Sequence, residues 1–222
     1  MQLLANTTSP FVRIVRIAML EKGLEPDLHL VDPWADDPRL RAANAATRVP
    51  TLILDDGTVL SECLLIAQWL EATRGPPAWP SLFGKPQDTA TVLAHAGIAI
   101  GAIEASTITI ISRKVTAPIL FDETPVGLRR RRTMVESLQR LEAIYASLQA
   151  QGDPKAKASE HSTAPGEGAA APAALDVICA VVLFDYQRFR YGTQAWLPHT
   201  PALQKLADTM NARESFATTR PH

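Results

Sequence analysis

Apolar residues in this chain follow two rhythms, and the rhythm changes near the middle. Leu3-Leu4-Ala5 is a short apolar run of the kind a buried strand shows. Ile14, Val15, Ile17, Ala18 and Leu20 then recur at helical spacing and predict a helix from Pro10 to about Lys22. Ser9 is placed to cap that helix, Pro10 to open it and Gly23 to end it. Asp27-Leu28-His29-Leu30-Val31 alternates polar and apolar, which predicts a half-buried strand. Pro33 and Pro38 break the next stretch, and Asp36-Asp37 opens a short helix through Ala43. The run Arg48 to Leu54 predicts a strand with Pro50 as its first residue. Asp55-Asp56-Gly57 is a hairpin turn, and Thr58-Val59-Leu60 is the return strand. Ser61 then caps a helix whose apolar face is Leu64, Leu65, Ala67, Trp69 and Leu70, and Gly75-Pro76-Pro77 stops it. A helical crossover makes the first two strands parallel, and the hairpin makes the last two antiparallel. The order is that of an α/β thioredoxin-like domain, βαβαββα, over residues 1–75.

Residues 76–86 are rich in proline and read as a linker. From 87 to 222 the pattern is helical throughout, which predicts an all-α domain. One helix runs from Gln87 to about Lys114; Thr107-Ile108-Thr109-Ile110 alternates like a strand inside it, yet no turn signal brackets those residues. Pro118 ends that element, and Pro125 lies in the first turn of a second helix reaching Leu148. Residues 152–174 are rich in Ala, Pro, Gly, Ser and Lys and predict a mobile loop. A third helix spans about Leu175 to Tyr191 with Asp176 in its first turn, and a last one starts after Pro198 or Pro201 and ends near Asn211.

Composition narrows the classes of function. The chain has 222 residues, 46% of them apolar, enough for real cores. A formal net charge of −1 offers no general attraction to nucleic acid or to an anionic membrane, and the basic run Arg129 to Arg132 reads as a solvated helix face. The start, Met1 to Asn6, lacks a basic signal-peptide region, and the apolar run Val177 to Phe184 is too short to cross a bilayer. Cys63 and Cys179 both fall in apolar helical patterns, so no disulfide framework and no metal are expected, and a cytoplasmic location fits.

The candidate chemistry is at Ser9. A hydroxyl there sits beside backbone N–H groups at the positive end of a helix, which suits an anion or a thiolate. The plain alternative is a helix cap and nothing more.

Four sets of residues in order carry a resemblance. They are Ser9-Pro10-Phe11-Val12-Arg13 with Val15-Arg16-Ile17-Ala18; Asn44 followed by Arg48-Val49-Pro50; Asp55-Asp56-Gly57-Thr58-Val59-Leu60; and Glu62-Cys63 with Ile66 and Trp69-Leu70. Together they resemble the glutathione transferase family from Met1 to about Arg74, with bacterial soluble members that use a serine the nearest in pattern. The resemblance implies a homodimeric enzyme that conjugates the glutathione thiolate to small, largely apolar electrophiles. Ser9 would donate a hydrogen bond to the sulfur. Phe11 would contact glutathione and line the neighbouring cleft, and Val49, before a cis bond to Pro50, would pair its backbone with the cysteinyl part. Glu62 would take the γ-glutamyl ammonium, and the N–H of Cys63 the γ-glutamyl carboxylate. Arg48 would either reach the glycyl carboxylate or lie on the surface. Trp34, His95, Ile98 and Ile103 would line the electrophile cleft or be ordinary packing residues.

Two positions depart from the pattern. The family has Ser or Thr where this chain has Cys63, a poor donor that is either a small buried residue or a thiol made reactive by the helix start. The residue three before Asp176 is Ala173 rather than Ser or Thr, which removes half of a capping box. Cys63 keeps open a non-catalytic binding or scaffold protein. Glutathione-dependent isomerisation or thiol exchange is a further alternative, although Ser9 supplies no thiol of its own.

Overall fold

The computed structural model describes residues 1–152 and 173–221; most of the segment expected as a mobile loop, 153–172, and residue 222 lie outside the described residues. The chain divides into two compact units. The first comprises Met1–Pro86 with the described residues 173–174 and 213–221, and the second comprises residues 87–152 and 175–212.

In the first unit the elements are β1 (Gln2–Ala5), α1 (Pro10–Glu21), β2 (Asp27–Leu30), α2 (Pro38–Ala43), β3 (Thr51–Ile53), β4 (Val59–Ser61) and α3 (Cys63–Thr73). The sheet order is β2-β1-β3-β4. β1 runs parallel to β2 and antiparallel to β3, and β3 runs antiparallel to β4. This is the mixed thioredoxin-like sheet that the strand order predicts. Leu3, Leu4 and Leu52 are fully buried in it, and Ile14 and Ile17 of α1 and Ile66 and Leu70 of α3 are equally buried. Gly23 takes φ 65° just past α1, a region an L-residue with a side chain rarely enters, and closes the helix through its N–H to Leu20 O.

Several local expectations are corrected. β2 is an edge strand whose Leu28 and Leu30 are exposed while His29 is half-buried, so its alternation does not turn the leucines inward. Ser61 ends β4 instead of capping α3; Glu62 holds the cap position. Leu65 is exposed, off the apolar face. β3 begins at Thr51, one residue after the cis Val49–Pro50 bond. The proline-rich segment 76–86 is docked on its own unit. Leu82 is fully buried, its N–H donates to Glu71 Oε2 at 3.0 Å, and the buried Lys22 ammonium donates to Pro80 O and to Glu71 Oε2. Burial lowers the Lys22 pKa against the opposing pull of Glu71.

A short helix, Glu214–Ala217, which the sequence reading missed, also belongs to the first unit. Its segment packs on α1. Arg213 and Ser215 donate to the buried Glu21 carboxylate, as does the N–H of Ala173, and Arg13 donates to Phe216 O at 3.4 Å.

The second unit is helical: α4 (Thr89–Val115), α5 (Pro125–Ala150), α6 (Leu175–Tyr191) and α7 (Pro201–Met210), with one 3-10 turn at Phe121–Glu123. The terminal helix Glu214–Ala217 is α8 in chain order. α4 packs on α5 and α6, and the Thr107–Ile110 stretch is helical within it. α4 is long and apolar enough to cross a membrane by length and composition, which Val177–Phe184 alone is not; here it is the spine of a helical unit. Ser106, midway along it, is satisfied inside the unit. Ser106 donates to Ala102 O and receives Gln187, and Tyr191 donates to Ser106 O at 2.8 Å.

Candidate functional site

Three pieces of the first unit gather the residues that the sequence singles out. The first is the start of α1. Ser9 has extended backbone, and its Oγ accepts the N–H of Val12 at 3.4 Å. That bond uses an oxygen lone pair and leaves the hydroxyl proton free to donate. The loop before it is fixed by Asn6, whose side-chain oxygen accepts both the N–H and the hydroxyl of Thr8 at 3.0 and 2.8 Å. Phe11, one residue into the helix, is half-buried.

The second piece is the loop before β3. The Asn44 amide donates to Arg48 O at 3.3 Å and to Thr51 Oγ1 at 2.9 Å, while Thr51 Oγ1 donates to Arg48 O at 2.7 Å. These bonds hold the backbone on both sides of Val49 and the buried Pro50. Among the described residues no hydrogen bond engages the N–H or C=O of Val49 itself. A half-buried backbone with both groups open is an edge that an extended peptide can pair with. Thr51 is a functional support that sequence reasoning passed over as strand; its signal was a β-branched hydroxyl directly after the proline.

The third piece is the start of α3. Glu62 sits at φ 68°, a left-handed conformation that costs a residue with a side chain on the order of 1–3 kcal/mol. It forms no side-chain cap on α3, so its own carboxylate does not close the start of that helix. Its exposed carboxylate lies 3.5 Å from the exposed Arg48 guanidinium, a weak contact at that exposure. Cys63 is buried. Burial, helped by the nearby Glu62 charge, pushes its thiol pKa up to about 11. Burial thus works against the reactive-thiol alternative, because desolvation disfavours the thiolate that a helix start would favour.

Residues 8–73 match the family described as glutathione S-transferase, N-terminal domain. The whole chain is 28% identical over 221 residues to the uncharacterized GST-like protein YibF of Escherichia coli K12, covering 98% of that protein. It also superposes over its full length on a glutathione S-transferase of Methylobacterium radiotolerans, solved in complex with glutathione sulfonate, with 26% identity, a TM-score of 0.77 and 94% of that chain covered. A glutathione S-transferase of Methylobacillus flagellatus, solved with glutathione bound, shares the fold at a TM-score of 0.76 and 22% identity, with 100% of this chain and 99% of that one covered. Residues 8–73 thus form a glutathione S-transferase N-terminal domain, and over its full length the chain is similar to glutathione S-transferases.

Of the four residues expected around an electrophile, Trp34 belongs to the first unit and His95, Ile98 and Ile103 to the second. Trp34 has 66% of its surface exposed. In the second unit, Ile103 is fully buried and belongs to the core, and Ile98 is half-buried one turn after His95. His95 has a neighbour the sequence did not reveal: its Nδ1 lies 3.7 Å from Asp176 Oδ2, beyond hydrogen-bond length. Asp176, expected to cap α6, instead has its carboxylate buried, with Oδ1 lacking a hydrogen-bond partner among the described residues. The Tyr145 hydroxyl is buried as well, and its pKa rises well above the ordinary value through burial and the nearby Asp176 charge. With Ala173 carrying no hydroxyl, the capping box is absent, and the carboxylate turns to this interior cluster.

Proposed function

We propose that this chain is a glutathione transferase. Glutathione would pair its cysteinyl backbone with Val49. Its γ-glutamyl carboxylate would accept from the open N–H groups at the start of α3, and its ammonium would meet Glu62. The sulfur would then lie against the free hydroxyl proton of Ser9 and the start of α1. The observation that carries this reading is Glu62: a strained residue that leaves its own helix uncapped makes sense where a ligand supplies the missing acceptor. The relatives solved with glutathione or its sulfonate support the same ligand.

Ser9 acts as a donor and not as a base, because a hydroxyl does not take up a proton at neutral pH. A free thiol of pKa about 8.5 is mostly protonated at pH 7. A hydrogen bond to the charged sulfur stabilises the thiolate by about 1.5–3 kcal/mol, which raises the ionised fraction roughly ten- to a hundredfold until it saturates. The thiolate attacks an electrophilic carbon and the carbon–sulfur bond forms; in a substitution the carbon–halogen bond breaks and halide leaves with its electron pair, and in an addition the π bond opens and the adjacent atom takes a proton from water. Homodimer formation and a cytoplasmic setting belong to the same proposal.

The test is steady-state conjugation of glutathione to a chromogenic aryl halide. Ser9→Ala is expected to lose about ten- to a hundredfold in kcat/KM, with the rise of rate with pH displaced to higher pH. Unchanged kinetics in that variant would remove Ser9 from the mechanism. A second reading, binding without turnover, is favoured by Cys63, whose buried neutral thiol offers the ligand carboxylate no strong donor. Glutathione retention with no turnover in the unmodified protein would establish it. Thiol exchange is left with glutathione's own sulfur, since Ser9 has none and Cys63 is not ionised.

A further inference from the structure

The second unit exposes seven large apolar side chains, and five of them fall in one short stretch. Val115, Ile119, Leu120, Val126 and Leu128 are each more than half exposed, from 51% to 75%. They sit on the turn that joins the end of α4 to the start of α5. That turn is well built. Phe121 is buried beneath it, the Thr116 hydroxyl donates to Ser112 O, and Thr124 caps α5 through the N–H of Gly127. An exposed cluster on an ordered turn is a contact surface rather than a frayed end.

Its charge says what the surface meets. Residues 113–132 hold six cations, Arg113, Lys114 and Arg129 to Arg132, against Asp122 and Glu123, a local excess of four. Asp122 is already chelated by Arg113 and approached by Arg131 at 3.8 Å. Lys114, Arg129, Arg130 and Arg132 form no ion pair among the described residues, and three of them are exposed. At 1.5 Å per residue, Arg129 and Arg132 stand about 6 and 10 Å along α5 from its first residue. Apolar side chains that enter a bilayer interface reach about 5–10 Å, so with α5 along the bilayer normal cations at that setback would lie level with lipid phosphates. A second copy of the same surface would instead bring two excesses of positive charge together.

We propose that the α4–α5 turn docks on an anionic lipid bilayer, with Ile119 and Leu120 inserted and Arg129 and Arg132 on the phosphates. The chain's net charge of −1 hides this local excess. Glu123, exposed on the same turn, opposes the docking. The proposal does not depend on glutathione chemistry.

Flotation of the full chain with vesicles of phosphatidylcholine containing about 30% phosphatidylglycerol tests it, with pure phosphatidylcholine as the control. The protein is expected to float with the anionic vesicles, to float far less with the neutral ones, and to be released by high salt. Ile119→Ser with Leu120→Ser is expected to lower partitioning on the order of tenfold or more, and Arg129→Gln with Arg132→Gln by a similar factor at low salt. These side chains are exposed or peripheral, and circular dichroism with thermal unfolding confirms that the variants fold. Failure to float with anionic vesicles, or equal flotation of the variants, overturns the proposal. A concentration-dependent dimer that the Ile119→Ser, Leu120→Ser change dissociates overturns it in favour of a second copy.

Discussion

Two helices of this chain begin beside a glutamate, and the two glutamates behave in opposite ways. At α7, Glu142 reaches over from α5 and accepts the N–H groups of Ala202 and Leu203 at 2.8 and 3.0 Å, so that helix start is closed. At α3, Glu62 occupies the cap position itself, in a left-handed conformation, and caps nothing. Closing a helix start satisfies donors that would otherwise go unmet and adds stability. Leaving one open forgoes that gain and keeps the donors for something that arrives later. The first arrangement builds the fold; the second is expected where the fold serves a ligand.

The contrast breaks most visibly at Glu142. Glu142→Ala removes two charge-assisted bonds and is expected to cost about 3 kcal/mol in urea unfolding, with glutathione affinity by calorimetry unchanged. Glu62→Gly should do the reverse. Glycine accepts the left-handed backbone, so unfolding stability rises by about 1 kcal/mol, while loss of the ammonium partner weakens glutathione about tenfold. If Glu62→Gly left affinity intact, the Glu62 carboxylate would have no bearing on the ligand. Cys63→Ser sharpens the comparison further. It places a donor hydroxyl at the open start and is expected to tighten glutathione by up to about tenfold in the same calorimetric titration.

The smallest effect is expected away from both starts. Hydrogen bonding from Arg113 holds the Asp122 carboxyl below the usual carboxylate range. A depressed folded-state pKa contributes stability above the unfolded value of about 4 and loses it as pH falls through the folded value. The stability gap between the unmodified chain and Asp122→Asn is therefore expected to be about 1 kcal/mol at pH 7 and to shrink below about pH 4, measured by thermal melts across that range.

The sequence showed the elements of the first unit because its signals are local. Ser9-Pro10 opens a helix, Gly23 ends one, and Asp55-Asp56-Gly57 turns a hairpin, each within a few residues. What it did not show depends on backbone geometry or on distant partners. Serine before an acidic residue reads as a cap at Ser61, yet the chain turns left-handed at Glu62 and starts the helix one residue later. The pairing of Leu28 and Leu30 with an alternating pattern gives no sign that β2 lies at the sheet edge with both leucines outside. In the second unit the contacts of His95, Asp176 and Tyr145 join three helices separated by long stretches of chain. No local pattern announces such a cluster, and spacing alone does not tell that Ile103 is fully buried.

The return of the last residues to α1 has a consequence for biosynthesis. Arg213 and Ser215 satisfy the carboxylate of Glu21, which leaves the ribosome almost two hundred residues ahead of them. Until Arg213 and Ser215 have been made that glutamate lacks both partners, so the first-begun unit cannot be finished before the helical unit has been synthesised, and removing residues 213–217 damages the unit that was begun first.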